Sequence, residues 1–168
     1  MNLPVVGAVL VTLTVGGGLV LARQRYVVVT VAGVSMLPTL AAGDRVLVRR
    51  SALARVRAGD LVVSRPPAGG RWDAMTLPTW LIKRAVAVPG DPVPGHVVLD
   101  VPEEPGAPVP PGRVVLLGDN PDESLDSRFC GYFRENQIVG VVVRCLAHGD
   151  PARSQNTTRR KDTSSCRT

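Results

Sequence analysis

The chain has 168 residues, enough for one modest domain with a core of its own but not for two. Its 17 glycines and 15 prolines suit short strands and turns better than a helical bundle. The net charge is +6, but half of this excess lies in residues 150–168, so the composition argues against nucleic acid as a partner.

The chain begins with a long uncharged segment. Residues 3–22 carry no charged side chain, and 20 residues in a helix can cross ~30 Å of hydrocarbon. We expect residues 1–25 to form a retained single-pass transmembrane helix. A cleaved secretory signal peptide is the alternative, but the segment lacks a basic start and a small-residue cleavage motif. Arg23 and Arg25 follow the segment, and by the positive-inside rule they favour a cytoplasmic location for the domain.

Short strands are predicted along most of the remaining chain. The segments are rich in β-branched residues or alternate between apolar and polar residues, and Gly-Asp and Pro-Gly turn signals separate several of them. This pattern predicts a mainly β fold, a small antiparallel β-barrel-like domain over residues 26–148. Residues 149–168 are polar and are expected to be a disordered tail. The predicted strands are residues 26–31, 45–49, 61–64, 80–88, 96–101, 113–117 and 137–146.

Cysteine, histidine and acidic residues give little support for a metal site. The three cysteines and two histidines show no metal-ligand spacing, so no metal or other cofactor is expected. The acidic stretch 119–126 would suit calcium in other contexts, but it lacks an EF-hand pattern. An oxidising compartment would allow a disulfide between Cys130 and Cys145, whereas the simpler interpretation treats both as small apolar side chains.

Ser35 and Lys83 are the first candidates for chemistry. Ser35 lies between a strand-like segment and a Pro-Thr turn, and Lys83 is the only lysine before the tail. A serine hydroxyl is a poor nucleophile unless a base takes its proton. A buried lysine whose pKa falls to roughly 7–8 can be that base, whereas arginine stays protonated. The alternative is an ordinary lysine that points outward from its strand into solvent.

Several motifs together resemble the bacterial type I signal peptidases, which are membrane-bound peptidases with a serine–lysine dyad. Each motif alone is weak evidence, but their order behind an apolar segment is specific. The resemblance extends from the predicted anchor to about residue 144. The motifs are Ser-Met-Leu-Pro-Thr-Leu at 35–40, Gly-Asp-Arg-Val-Leu-Val at 43–48, Gly-Asp-Leu-Val-Val at 59–63, Lys-Arg-Ala-Val-Ala-Val-Pro-Gly-Asp at 83–91, and Gly-Asp-Asn-x-x-x-Ser-x-Asp-Ser-Arg at 118–128.

The resemblance implies a role for each matching residue. Ser35 would be the nucleophile and Lys83 the general base. Ser124 would hydrogen-bond and orient the lysine. An ion pair between Asp126 and Arg128 would hold the shape of the site, whose floor would be formed by Gly118 and Asp119.

Two further positions bear on substrate binding. Gly33 stands where some members of the family carry a serine whose hydroxyl helps to stabilise the oxyanion. The developing charge would then depend on the backbone N–H of Ser35 and one more donor that the sequence does not identify. Met36 is a candidate for the substrate pocket, and a core methionine is an equally good interpretation.

The resemblance also implies a function and a location. The family removes signal peptides from exported preproteins, which bind as extended strands with small residues at the first and third positions before the cut. The catalytic domain would lie on the extracytoplasmic face, against membrane lipid and near the secretion translocon, despite Arg23 and Arg25. Only 21 residues separate Asp91 from Arg113, where larger members insert a second β-domain, so a reduced or missing cap is expected.

Other functions are compatible with parts of the sequence. The protease could be dedicated to one cargo, or the chain could be a catalytically silent module that binds signal sequences. A self-cleaving repressor of the SOS type would use the same dyad, but no helix-turn-helix pattern precedes Ser35. A Ser-His-Asp hydrolase would need His96 or His148 near the serine, and neither histidine lies in a recognisable motif.

Overall fold

The computed structural model describes residues 23–69, 72, 76–99 and 106–147. Residues 1–22 of the predicted transmembrane helix (residues 1–25) and the predicted polar tail (residues 149–168) lie outside these residues, while residues 23–25 are described and helical. Among the described residues, no helix has both the length and the apolar character needed to cross a membrane.

The described residues form one antiparallel sheet that curls into a half-barrel, which confirms the prediction of a mainly β domain. Its strands run in the order β1-β2-β7-β3-β4-β5-β6. A four-residue helix, α1 (Ser127–Cys130), and short 3-10 turns at Leu53–Arg55, Pro121–Glu123 and Glu135–Gln137 complete the described structure. The strands are β1 (Tyr26–Thr30), β2 (Arg45–Arg50), β3 (Leu61–Ser64), β4 (Leu81–Ala87), β5 (Arg113–Leu117), β6 (Phe133–Arg134) and β7 (Ile138–Ala147).

Local patterning explains most of these strands. In β2, the fully buried Val46 and Val48 alternate with the exposed Arg45 and Arg49, as expected for a strand with one face against a core. Six of the predicted strands occur with bounds within one residue of those expected. Central strands such as β4 are buried on both faces, so they show no alternation. A run of apolar residues bounded by turns is the pattern that predicts them.

One predicted strand is absent from the described residues, and one observed strand was not predicted. The described part of the predicted strand 96–101 contains no strand, because the Val97 N–H donates to the Pro94 carbonyl and closes a turn. The two-residue strand β6 was not predicted, since it is too short to show a period. Cys130 and Cys145 are thiols, so the disulfide that an oxidising compartment would allow is not formed. Neither cysteine is fully buried.

Two buried clusters hold the segments that carry the candidate residues. The first joins the loop after β1 to the sheet through Met36 and Leu40, which pack against Val46, Val48 and Val63. Burial of a methionine or leucine side chain contributes roughly 1.5–3 kcal/mol, so these two contacts fix the loop firmly. The second cluster supports β4 and β5 from the other side, and its largest member is Phe133.

The connection between β4 and β5 is small. Its described residues form an isolated bridge between Pro92 and Pro108 and no strand. Val93, Val97 and Val109 pack against residues of β4 and β5 in a third cluster. The described part of the connection therefore covers one end of the sheet, and the reduced cap stays a prediction.

Candidate active site

Ser35 and Lys83 meet although they are 48 positions apart in the chain. Ser35 lies in the loop that follows β1, and Lys83 lies in β4 opposite Val62 of β3. The Lys83 Nζ is 2.7 Å from the Ser35 Oγ, within hydrogen-bonding distance. The Lys83 side chain is 2% exposed, and within the described chain it forms no ion pair with a carboxylate. The arrangement joins a hydroxyl to a buried amine.

The surroundings of Lys83 favour its neutral form. Burial lowers its pKa below the ordinary value of 10.5, because the charged ammonium loses its hydration. The negative charge of Asp126 opposes this effect, as do weaker contributions from Cys130 and Asp119. The positive charge of Arg128 acts in the same direction as burial. The net result is an amine that gives up its proton more readily than an exposed lysine.

Asp126 is the centre of a buried hydrogen-bond network. Its carboxylate accepts from Arg128 Nε at 3.0 Å and Nη2 at 2.7 Å, from the Gly118 N–H at 2.9 Å and from the Ser124 hydroxyl at 2.7 Å. Burial alone would raise the pKa of Asp126, but the hydrogen bonds outweigh it and lower the pKa. The expected ion pair between Asp126 and Arg128 is therefore present. Ser124 donates to Asp126 rather than to Lys83, so its orienting role stays a prediction.

Gly118 allows two parts of the site to approach closely. A Cβ atom at this position would lie 2.6 Å from the Ser124 Cβ and 2.7 Å from the Ser35 carbonyl oxygen. Both distances are below those of real contacts, so any side chain here would push the Ser35 loop away from the Ser124 turn. The glycine is needed for space rather than for an unusual backbone conformation.

Arg84 and Thr39, which the sequence analysis did not single out, join the site through Asp119. Arg84 binds both Asp119 oxygens, from Nε at 2.8 Å and Nη2 at 2.6 Å, and its Nη1 donates to the Gly59 carbonyl at 2.9 Å. The Thr39 hydroxyl also donates to Asp119. The hydrogen bonds from Arg84, with a smaller effect from Thr39, lower the pKa of Asp119. The alternation of side chains along a strand could have indicated a separate role for Arg84, since it places Arg84 on the face opposite Lys83.

Asn120 was also missed, and it contacts the Ser35 loop twice. Its backbone N–H donates to the Ser35 carbonyl at 3.0 Å, and its side-chain Nδ2 donates to the Val34 carbonyl at 3.2 Å. Gly33, two residues before Ser35, has a φ of +90°, a conformation that favours glycine. No local pattern could have identified the two contacts of Asn120, because they join residues more than 80 positions apart.

A cleft of about 250 Å³ opens beside Ser35 and Lys83. Its walls are β1 and the beginning of β4. β1 pairs only with β2, and β5 pairs with β4 only from Arg84 onwards, so both walls offer strand edges without a strand partner in the described chain. Met36 lines the cleft and is 1% exposed, so it belongs both to the core and to the cleft wall. The lining residues are Val28–Ala32, Ser35, Met36 and Pro78–Lys83.

Comparison with known proteins identifies the family of the chain. Residues 5–99 and 95–147 match the family model described as signal peptidase, peptidase S26. A protein from Synechocystis sp. named "Probable signal peptidase I-1" is 31% identical over 127 residues, 65% of this chain and 65% of the relative. One from Leptolyngbya laminosa named "Signal peptidase I" is 29% identical over 151 residues, 79% of this chain and 72% of the relative. The chain thus spans about two thirds of the length of these relatives, and it belongs to the signal peptidase family, peptidase S26.

Proposed function

We propose that the protein is a membrane-anchored serine endopeptidase that removes signal peptides from exported preproteins. Ser35 is the nucleophile and Lys83 the general base. The observation that carries the proposal is the 2.7 Å contact between the Ser35 hydroxyl and a buried amine with a lowered pKa. Family membership and the names of the two relatives support the reaction class and the substrate.

The dyad accounts for both halves of peptide hydrolysis. The neutral Lys83 amine takes the proton from Oγ as Oγ attacks the scissile carbonyl carbon. The resulting ammonium returns this proton to the leaving nitrogen as the C–N bond breaks, and an ester between Ser35 and the signal peptide remains. Lys83, neutral again, then takes a proton from water as the water oxygen attacks the ester carbonyl carbon. The ammonium returns this proton to Oγ as the ester C–O bond breaks, which restores Ser35 and neutral Lys83 and releases the new carboxyl terminus.

The negative oxygen of the tetrahedral intermediate needs a donor. The Ser35 N–H has no acceptor within the described residues, so it is available for this purpose. Gly33 contributes no hydroxyl. Loss of one such donor typically slows serine hydrolases by about 10²–10³-fold, so the direction of this N–H matters greatly.

The cleft between β1 and β4 suits an extended peptide. A substrate strand there would hydrogen-bond to the edges of β1 and of residues 81–83, and alternate side chains would face the cleft floor. Val29, Val31, Met36 and Ile82 make this floor apolar, and the family resemblance implies shallow pockets in it. Such a floor favours small residues at the first and third positions before the cut.

The location of the domain is part of the proposal. The apolar residues 3–22 end 13 residues before Ser35, so an anchor there would keep the reaction close to lipid and to the translocon. We place the domain on the extracytoplasmic face, where preproteins emerge. On intact cells, added protease should therefore digest the domain. Protection until lysis would contradict this location.

Cleavage of a preprotein by the full chain in detergent tests the activity. We expect a single cut after a small residue, identified by N-terminal sequencing of the product, and no cut by Ser35→Ala or Lys83→Ala. Lys161→Ala is a matched control, since Lys161 is the only other lysine in the sequence and is not one of the proposed site residues. Turnover by folded Ser35→Ala would refute the dyad. Peptide binding by the wild-type protein without any cleavage would instead support the silent signal-sequence-binding module.

A further inference from the structure

The proposed reaction depends on the direction of one backbone N–H. Gly33 offers no hydroxyl to the oxyanion, so the Ser35 N–H carries most of that task. This N–H belongs to the peptide unit that joins Val34 to Ser35. Whatever holds that peptide plane in one orientation therefore affects the energy of the transition state.

Asn120 holds the peptide units on both sides of Ser35. Its Nδ2 donates to the Val34 carbonyl, which belongs to the same peptide unit as the Ser35 N–H. Its backbone N–H donates to the Ser35 carbonyl, which belongs to the following unit. Asn120 follows directly on Gly118 and Asp119 at the end of β5. The loop is thus tied to a segment that the Asp126 network and the Arg84 ion pair already fix.

Because each peptide unit is planar, these two contacts also fix the directions of two backbone N–H donors. In a trans peptide the C=O and N–H groups point in opposite directions. A Val34 carbonyl held against Asn120 therefore turns the Ser35 N–H to the side away from Asn120. The Ser35 carbonyl, held by the Asn120 N–H, does the same for the N–H of Met36. Neither the Ser35 nor the Met36 N–H has an acceptor within the described residues.

The amide of Asn120 contributes little to folding by comparison. The loop is anchored independently, because Met36 and Leu40 are buried in the core at 1% and 5% exposure. The Val34 carbonyl also accepts a hydrogen bond from the Leu37 N–H at 3.1 Å. Removal of the Asn120 amide would thus leave the loop packed and this carbonyl satisfied. What it would lose is the tie between the peptide plane and the end of β5.

We propose that Asn120 is a positioning residue for the oxyanion site, which acts by orienting the peptide units on either side of Ser35. This inference rests on the proposed peptidase function. It also explains how a chain with glycine at position 33 can hold an oxyanion site made of backbone donors. Asn120 does not touch the reacting atoms itself.

The test uses Asn120→Asp and Asn120→Ala in the full chain in detergent. Asp has the size of Asn, but its carboxylate repels the Val34 carbonyl, and Ala removes the side-chain contact while it keeps the backbone N–H. We expect kcat for preprotein cleavage to fall about 10–100-fold, since the donor is misaligned rather than removed, and KM to change less than about two-fold. Asn136→Ala, in an exposed turn, is the matched control and should leave both constants unchanged.

A transition-state mimic separates positioning from a general structural effect. A substrate-derived peptide aldehyde adds the Ser35 Oγ to its carbonyl carbon, the Oγ proton passes to Lys83, and the former aldehyde oxygen carries the negative charge. Its affinity should fall by the same factor as kcat in both Asn120 variants. The affinity of a substrate-length peptide whose scissile bond is replaced by a non-cleavable methylene-amine linkage should stay unchanged.

The outcomes distinguish this inference from the proposed function. Cleavage by Ser35→Ala would overturn the peptidase assignment itself. An inactive Ser35→Ala together with a wild-type kcat in the Asn120 variants would overturn only the role of Asn120. Equal losses of affinity for the aldehyde and the non-cleavable peptide would also overturn it. Loss of the folded state in both variants, judged by thermal melting, would contradict it as well, since Met36 and Leu40 should keep the loop anchored.

Discussion

Lys83 and Arg84 are neighbours on β4, yet their side chains have opposite surroundings. Lys83 is 2% exposed and contacts the Ser35 hydroxyl, whereas the Arg84 side chain is 33% exposed and binds both oxygens of Asp119. Burial lowers the pKa of Lys83, while the hydrogen bond to Asp119 raises the pKa of Arg84. Because successive residues of a strand point to opposite faces, one dipeptide supplies both a proposed base and a structural tie.

The comparison shows how a strand can hold two cations for different purposes. A cation beside a carboxylate keeps its charge and links segments of the chain, as Arg84 links β4 to Asp119, Thr39 and the Gly59 turn. A cation that is buried with only a hydroxyl in contact is pushed towards neutrality. Arg128 sharpens the contrast, because it pairs with Asp126 and so reduces the negative charge that Lys83 experiences.

Substitutions that exchange the two cation types should have very unequal effects. Lys83→Arg should lower kcat/KM for preprotein cleavage roughly 10³-fold or more, because arginine stays protonated and cannot accept the Ser35 proton. Arg84→Lys keeps a charge beside Asp119 and should retain activity within about ten-fold. Circular dichroism should report a folded domain for both variants. An active Lys83→Arg protein would contradict the proposal that Lys83 is the general base.

Removal of the positive charge of Arg128 and removal of the negative charge of Asp126 should shift the pH profile of kcat/KM in opposite directions. The proposed mechanism requires neutral Lys83, so kcat/KM should rise with pH through the pKa of this amine, which lies below 10.5. Arg128→Met removes a charge that lowers the Lys83 pKa, so the rise should move to higher pH. Asp126→Asn removes a charge that raises the pKa, so the rise should move to lower pH.

The measurement is a pH profile of kcat/KM for each of these variants beside the wild-type protein. Arg128→Met also leaves the Asp126 carboxylate buried without its cation, which should cost roughly 3–5 kcal/mol of unfolding free energy. Arg128→Lys keeps the charge, folds more readily and should leave the profile where it is. Movement of the Arg128→Met and Asp126→Asn profiles in the same direction would contradict the electrostatic explanation.

Loss of the hydrogen bonds from Arg84 should affect the activity more than the stability of the domain. Arg84→Met should lower the unfolding free energy by about 1 kcal/mol, since the ion pair is partly solvated and screened. It should lower kcat about ten-fold, because Asp119 would no longer be held to β4 and to the Gly59 turn. Urea denaturation and preprotein cleavage measure the two effects. Arg55→Met, at an exposed position of the Leu53–Arg55 turn, should change neither.

Removal of the buried amine itself should stabilise the domain. The folded-state pKa of Lys83 is below the unfolded value, so the wild-type protein loses stability as pH falls from about 10.5 towards the folded pKa, and then stays at that lower level. Lys83→Met fills the same space without a charge. Its unfolding free energy should exceed that of the wild type at pH 7, with a smaller difference at pH 10. Lys161→Met is the control. A difference in unfolding free energy between Lys83→Met and the wild type that did not change with pH would argue against a Lys83 pKa lowered by burial.

Much of the strand structure could be predicted from local patterns. β3 and β5 have the predicted bounds because β-branched residues flanked by Gly-Asp or Pro-Gly turns encode a strand within a few positions. The segment 96–101 has a similar composition but forms a turn in its described part, since a hydrogen bond within the loop competed successfully. β6 was missed because its pairing with β5 depends on β5 and not on its own two residues.

The site could be predicted only in part. The resemblance to the signal peptidase family singled out Ser35, Lys83, Gly118, Asp119, Ser124, Asp126 and Arg128. The structure brings these residues together, while their catalytic roles remain predictions. The contacts of Arg84, Thr39 and Asn120 were not predicted. Each depends on the distance between chain segments rather than on the type of residue in a segment.

The sequence by itself determined the residue types that the chemistry needs: one lysine before the tail, a serine in a turn, and glycines where the backbone must turn or approach closely. The tertiary structure decided which groups meet. The curled sheet buries Lys83 against Ser35, turns Arg84 to Asp119 and places Asn120 beside the Ser35 loop. The physical reason is that strand periodicity is local, whereas burial, and with it the pKa of an amine, depends on segments that only folding brings together.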